Sequence, residues 1–330
     1  MPGQIWSVAS EGGYLWSEEL STYLRMAVQP MTKFRQFCDA KDGSQKGLNR
    51  GDKFQWNVAS NLGTQGRRLD ERSPIPETGF TLSQKSLTIQ EYGNSVPYTG
   101  KLNDMAKQDI LSIIDANLKH DARKCFDIEA FTQFKATMLR VAPTGGTSTT
   151  SVTLTTNGAT ATTNNAALGT GHVKAMSDMM KERNIPAYMG DDYFMISNPA
   201  NYRPFKNALE NIKLYTETGL AHIFSGEIGR FENTRFIEQT YIPRGGANNA
   251  TTFDPWAGVG QPWTNGQSSW AFMFGGDTVT EALVIPEELR AKIPGDYGRS
   301  RGLAWYAMTG FGIVHDDANN ARIVMWDSAS

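Results

Sequence analysis

The sequence predicts an α+β protein. Three observations predict it: an uninterrupted helical stripe over residues 103–139, strictly alternating strand patterns before it, and a β-rich final third. At 330 residues and 39% apolar content the chain can enclose one large core or two ordinary ones.

The order of elements opens on a polar arm carrying a short amphipathic helix. Over residues 16–29, Trp16, Leu20, Tyr23, Leu24, Ala27 and Val28 share one helical face, with Ser17 placed as cap and Glu18 and Glu19 at the positive helix start. Pro30 ends the run. Residues 53–60 then alternate, with Phe54, Trp56 and Val58 on one face and Lys53, Gln55 and Asn57 on the other, which is the pattern of a strand. A second strand is expected around Leu87, Ile89 and Glu91. The polar, proline-bearing residues 61–79 between the two offer little to bury, so the pair reads as a long hairpin with a projecting tip.

Residues 103–139 contain neither proline nor glycine, and Ala106, Ile110, Ile113, Ile114, Leu118, Ala122 and Cys125 form one stripe. A single helix of that length would rise roughly 55 Å. Residues 142–170 are almost wholly Thr, Ser, Gly, Asn and Ala, with Val152 and Leu154 suggesting a short strand, and read as a flexible surface loop. A helix is expected over residues 170–183, a buried strand at Tyr193-Phe194-Met195-Ile196, and a helix–strand mixture as far as Pro243. Residues 244–268 form a second Gly/Asn/Pro-rich loop, after which Trp270-Ala271-Phe272-Met273-Phe274 resumes strand character. Residues 303–314 and 322–326 flank the turn sequence His315-Asp316-Asp317-Ala318-Asn319-Asn320 and read as a closing hairpin.

Several function classes are excluded. The charge is −2, from 32 basic and 34 acidic residues, so no electrostatic footprint marks a nucleic-acid binder. No apolar run is long enough to span a bilayer, and the first residues lack the features of a signal peptide, so the chain is expected in the cytosol. Cys38 and Cys125 show no zinc-site spacing and read as buried, reduced thiols. His120, His172, His222 and His315 sit in unrelated contexts, and no nucleophile elbow accompanies them. The pairs Asp191-Asp192 and Asp316-Asp317 border strand ends, where Asp is a common turn residue, though a hydrolase using these carboxylates stays open as an alternative. Neither nucleotide-binding glycine pattern occurs. No catalytic, cofactor-binding or metal residue is therefore assigned. What stands out is an arm, a hairpin, an overlong helix and two large loops, elements that an isolated monomer buries poorly and an assembly buries well.

Their order resembles the major capsid protein of tailed bacteriophages. Short segments sharpen the likeness towards the coat-protein family of N-four-type podophages: Gly51-Asp52, Ile89-Gln90-Glu91-Tyr92-Gly93, Val96-Pro97-Tyr98-Thr99, Asp127-Ile128-Glu129, Asn184-Ile185-Pro186, Ser197-Asn198-Pro199, Gly226-Glu227-Ile228-Gly229 and Arg235-Phe236-Ile237-Glu238. The resemblance implies the Hong Kong 97-like capsid fold: an N-terminal arm (residues 1–50), an extended hairpin or E-loop (51–100), a peripheral domain with a long spine helix (101–141 and 302–330), and an axial domain (142–301). The loops 142–170 and 244–268 look enlarged for that family.

It implies a non-enzymatic subunit of an icosahedral virion, assembled in the host cytoplasm into pentamers and hexamers around double-stranded DNA held by weak, non-specific contact. Scaffolding, portal and decoration proteins are the implied partners; no membrane and no cofactor are. An encapsulin-like compartment shell is the alternative within the fold. The expected assembly interface sets the hairpin face Phe54, Trp56 and Val58 over a neighbour's spine helix, on a second face made by Phe126, Ile128 and Phe131.

Overall fold

Two sheets share one long helix between them. In the computed structural model of the chain, which describes residues 32–42, 51–59, 66–72, 74–159, 166–213, 229–242 and 270–328, thirteen strands and four α-helices are assigned among the described residues. In chain order they are β1 (Asp39–Asp42), β2 (Lys53–Ala59), β3 (Leu82–Thr88), β4 (Gln90–Thr99), α1 (Gly100–Met105), α2 (Ile110–Lys135), β5 (Leu139–Pro143) and β6 (Val152–Thr155). There follow α3 (Thr170–Glu182), β7 (Tyr193–Ser197), α4 (Pro199–Lys213), β8 (Arg230–Phe231), β9 (Thr234–Glu238), β10 (Ala271–Phe274), β11 (Val279–Ala291), β12 (Ser300–Ile313) and β13 (Ile323–Trp326). The expected helix at 16–29 and the loop 244–268 lie outside the described residues, as do residues 160–165 of the first loop.

The first sheet has the order β1-β11-β12-β4, antiparallel except for β1 beside β11. Its proline positions obey the ladder: Pro97 lies on β4, an edge strand, and Pro286 lies where the β11–β12 register shifts. The second sheet runs β6-β5-β13-β10-β7-β9-β8. Its central strands are buried on both faces, so they read as continuous apolar runs, as in Ala271-Phe272-Met273-Phe274. Alternate residues serve different cores. Phe272, Phe274, Ile323 and Met325 join α2 and the first sheet, while Ala271, Met273, Val324 and Trp326 join α3 and α4.

Two expectations need correction. The region 103–139 is two helices, because Thr99 Oγ1 accepts from Leu102 N at 3.3 Å to start α1 and Asp109 Oδ1 accepts from Leu111 N at 3.0 Å to start α2. An aspartate that caps the backbone competes with helix continuation even where no glycine or proline stands. The closing hairpin does not form: β12 pairs with β11 and β4, whereas β13 pairs with β10 and β5, in the other sheet. The β11–β12 pair straddles the 301/302 boundary, and Ile323–Trp326 joins the seven-stranded sheet and not the four-stranded one.

The polar loop after β5 is not wholly free. Its strand β6 pairs with β5, and the buried His172 of α3 reaches Gly146 O through Nε2 at 2.9 Å. Strand β7 passes into α4 through Asn198, whose Oδ1 accepts from Ala200 N at 3.0 Å ahead of Pro199 at the first helical position.

Candidate assembly surface

Strands β2 and β3 form the hairpin, in register Phe54↔Leu87 and Trp56↔Lys85. The alternation of Phe54, Trp56 and Val58 is as expected, each half-buried between exposed neighbours. Their partner at the root, however, lies in the same chain. Phe54 and Trp56 pack with Leu87, Ile89, Ala282 and Val284 in a third apolar cluster, and Trp56 Nε1 donates to Val314 O at 3.4 Å.

The helix half of the expected interface is corrected outright. Phe126, Ile128 and Phe131 are 0%, 1% and 3% exposed, enclosed in the core that α2 makes with both sheets. Phe126 packs edge-on against Tyr92 and Trp305, and Phe131 against Phe34 and Phe272. A second apolar stripe on α2 exists because the helix lies between two sheets, not because a neighbour covers it.

Between these residues sits a buried carboxylate that sequence reasoning did not single out as functional. Asp127 accepts from Arg35 N at 2.9 Å, from Gln239 Nε2 at 3.0 Å and from Tyr241 OH. Burial pushes its pKa up against these hydrogen bonds. It joins the segment before β1, the long helix and the strand exit after β9 at one point. Beside it Arg35 pairs with Glu281 at 2.8 Å and Glu287 at 3.0 Å and lies over the Phe126 ring. The sequence carries no local signal for this hub, since its members are far apart in the chain.

Among the remaining titratable candidates, Asp192, Asp316, Asp317 and His315 are tied to charged partners. Asp192 is bridged by Arg230 at 2.6 Å and Arg235 at 2.7 Å, while Asp191 is exposed. Asp316 and Asp317 both face Lys85 of the hairpin, Asp317 at 3.7 Å. His315 Nε2 lies 3.3 Å from Asp277, His120 is half-buried on α2, and His222 lies outside the described residues. Among the described residues, no cluster of His, Cys, Asp and Glu could hold a metal ion, and no helix is long and apolar enough to cross a membrane. Cys38 and Cys125 are free thiols, half-buried instead of buried; Cys38 lies against Phe34 O at 3.7 Å, and burial pushes the Cys125 thiol up to about 12.

Two further surface features stand out among the described residues. Along the hairpin segment Leu69, Ile75, Phe80 and Leu82 are 51%, 71%, 63% and 61% exposed and belong to none of the apolar clusters. Separately, a cleft of about 350 Å³ opens between α2 and β11–β12. Leu118, Ala122, Leu289 and Trp305 give it apolar walls; Lys119, Arg123, Glu287 and Glu288 give it charges of both signs.

The profile of a family described as phage capsid protein matches residues 84–322. Solved structures give the same answer at the level of fold. The capsid of the cyanophage P-SCSP1u superposes with a TM-score of 0.66 at 11% identity, covering 96% of this chain and 94% of that one. The acid-stable capsid of Helicobacter pylori bacteriophage KHP30 gives 0.65 at 11% identity over 98% and 97%. The capsid of Ralstonia phage GP4 gives 0.64 at 13% identity over 95% of each chain. No curated protein matches by sequence. The architecture is thus the Hong Kong 97-like capsid fold over nearly the whole chain.

Proposed function

The chain belongs to the phage capsid protein family, and from that premise we propose that it closes its shell as pentamers and hexamers in which each hairpin lies in a neighbour's cleft. It is a structural subunit of the virion and not an enzyme, so the hydrolase and compartment-shell readings fall away. One observation carries the proposed contact. Leu69, Ile75, Phe80 and Leu82 are all more than half exposed within fourteen residues of the hairpin segment, a density of wet apolar side chains that suits a surface meeting a partner.

The cleft beside α2 fits such an occupant in chemistry. Its apolar walls suit the exposed side chains, and its Lys119, Arg123, Glu287 and Glu288 complement Arg67, Arg68, Asp70, Glu71 and Arg72 of the hairpin segment. In this reading the helix-backed four-stranded sheet plays the peripheral part and the seven-stranded sheet the axial one. The kinship with N-four-type podophages rests on the short segments named above.

Scaffolding, portal and decoration proteins complete the proposed partners, and assembly takes place in the host cytoplasm. Packaged duplex is held by confinement, because a chain with 32 basic and 34 acidic residues offers few phosphate contacts to hinder release. The test is the state of the purified chain, alone and co-expressed with its scaffolding protein, by light scattering and electron microscopy. Oligomers or closed particles are expected. A monodisperse monomer at high concentration under both conditions would overturn the reading.

A further inference from the structure

Two glycines on β12 determine where the hairpin can sit. Trp305, Ala307 and Phe311 turn one face of that strand towards α2, so Gly310 and Gly312 open on the opposite face. There the hairpin root fills the space their missing side chains leave. A Cβ on Gly310 would stand 2.5 Å from Leu87 Cδ1 and 2.6 Å from Thr88 O; one on Gly312 would stand 2.9 Å from Leu87 Cβ and 3.3 Å from the Trp56 ring. Leu87, 4% exposed, is therefore seated in a notch that any larger residue would close.

Polar contacts hold the same root at its rim. Lys85, on the face that Trp56 shares, is paired with Asp316 and Asp317 of the turn after β12, and Trp56 Nε1 reaches Val314 O. The base is closed by Ile89 N donating to Asp52 O at 2.7 Å. Beyond the root, among the described residues, the two strands pair only with each other.

We propose that this seat, the Gly310–Gly312 notch with the Lys85–Asp316–Asp317 ion pairs, sets the direction in which the hairpin leaves its subunit and so its reach to a neighbour. The inference rests on the reading of the hairpin as an assembly element, and Gly310, Gly312, Lys85 and Asp316 are then positioning residues within one chain. The two parts differ in strength. The notch is steric and fixes the root. The ion pairs join carboxylates that are half exposed, so they bias its direction by no more than about fivefold and weaken as salt rises. A hairpin so held can be re-aimed without unfolding the sheet beneath it.

The test compares the full-length chain with Gly310→Val, with Lys85→Met and with the charge swap Lys85→Asp/Asp316→Lys, by hydrogen exchange on the free subunit and by particle yield and diameter. Amide exchange over residues 53–59 and 82–88 should rise about tenfold or more in Gly310→Val and up to about fivefold in Lys85→Met, with α2 unchanged. Yield should fall in the same order, and the swap should recover both protection and yield. Unchanged exchange in both single variants overturns the seat, and a loosened hairpin with wild-type yield and diameter overturns its role in reach. Should Gly310→Val not fold, Lys85→Met and its swap decide alone. A wild-type chain that forms no particles would instead sink the capsid contact, while the exchange data would still decide whether the seat exists.

Discussion

Strands β13 and β2 are both short and both end an apolar series in tryptophan or valine, yet their second faces meet different surroundings. In β13, Ile323 and Met325 face the core shared with α2, Val324 and Trp326 face the core under α3 and α4, and all four are buried. In β2 one face, Phe54, Trp56 and Val58, is half-buried, and the other, Lys53, Gln55 and Asn57, is in solvent. A side chain enclosed by its own chain on both sides of a sheet is committed to folding. One enclosed on a single side, near the root of a projection, divides its contribution between the subunit and what the subunit meets.

Two tryptophans put that contrast to measurement. Trp326 is fully buried and packs against His172 with ring centroids 4.7 Å apart and planes tilted by 33°, so Trp326→Ala should cost about 3 to 5 kcal/mol of fold stability. Trp56 is half-buried and has one long hydrogen bond, so Trp56→Ala should cost about 1 to 2 kcal/mol. Urea unfolding of the two variants gives both numbers on one scale. Equal losses would remove the distinction between the two regions.

What could be read in advance follows the same division. The strands of the doubly covered sheet were legible because β-branched and aromatic runs such as Tyr193-Phe194-Met195-Ile196 have no other comfortable home. The hairpin was legible from its period of two. Its packing was not, because Phe54 and Trp56 meet Ala282 and Val284, more than two hundred residues away, and no local pattern encodes that distance. The turn at residues 315–320 was correctly a turn, but turn chemistry bends the chain without choosing the sheet that β13 joins. Phe126, Ile128 and Phe131 were recognised as an apolar face and assigned to a neighbour. A second sheet of the same chain covers them, which the stripe itself cannot distinguish from a partner.

A smaller effect comes from pH, and it too separates the regions. His172 Nδ1 accepts from Gly169 N at 3.1 Å and Nε2 faces Gly146 O, so the buried ring is neutral with its proton on Nε2. Burial lowers its pKa below the ordinary value, against the pull of the backbone hydrogen bonds to Gly146 and Ala167. The unfolded chain takes up a proton near pH 6.5 that the folded chain refuses, so this stability is complete above that pH and drains away below it. Unfolding midpoints of the wild type should therefore fall between about pH 7.5 and pH 5.5 more steeply than those of His172→Gln. Parallel slopes would show that the α3 start is not the titrating element.

The smallest expected change in the fold lies at the far end of the hairpin. Ile75 and Phe80 are 71% and 63% exposed, belong to none of the apolar clusters among the described residues, and lie between the two strands of a ladder closed at its root. Replacing both by Ser removes apolar surface that water already wets, so unfolding should shift by no more than about 0.5 kcal/mol for each. Their exposure is the reason to expect a large effect elsewhere. An apolar anchor buried at a contact commonly costs about 2 kcal/mol when truncated, roughly a thirtyfold loss of association, and a closed shell repeats that loss at every copy. The double variant should thus melt with the wild type and fail to form particles where the wild type succeeds. If the variant assembles as well as the wild type, the hairpin tip is not the contact. If it loses fold stability on the scale of Trp326→Ala, the tip belongs to the subunit core and the contrast between the two regions collapses.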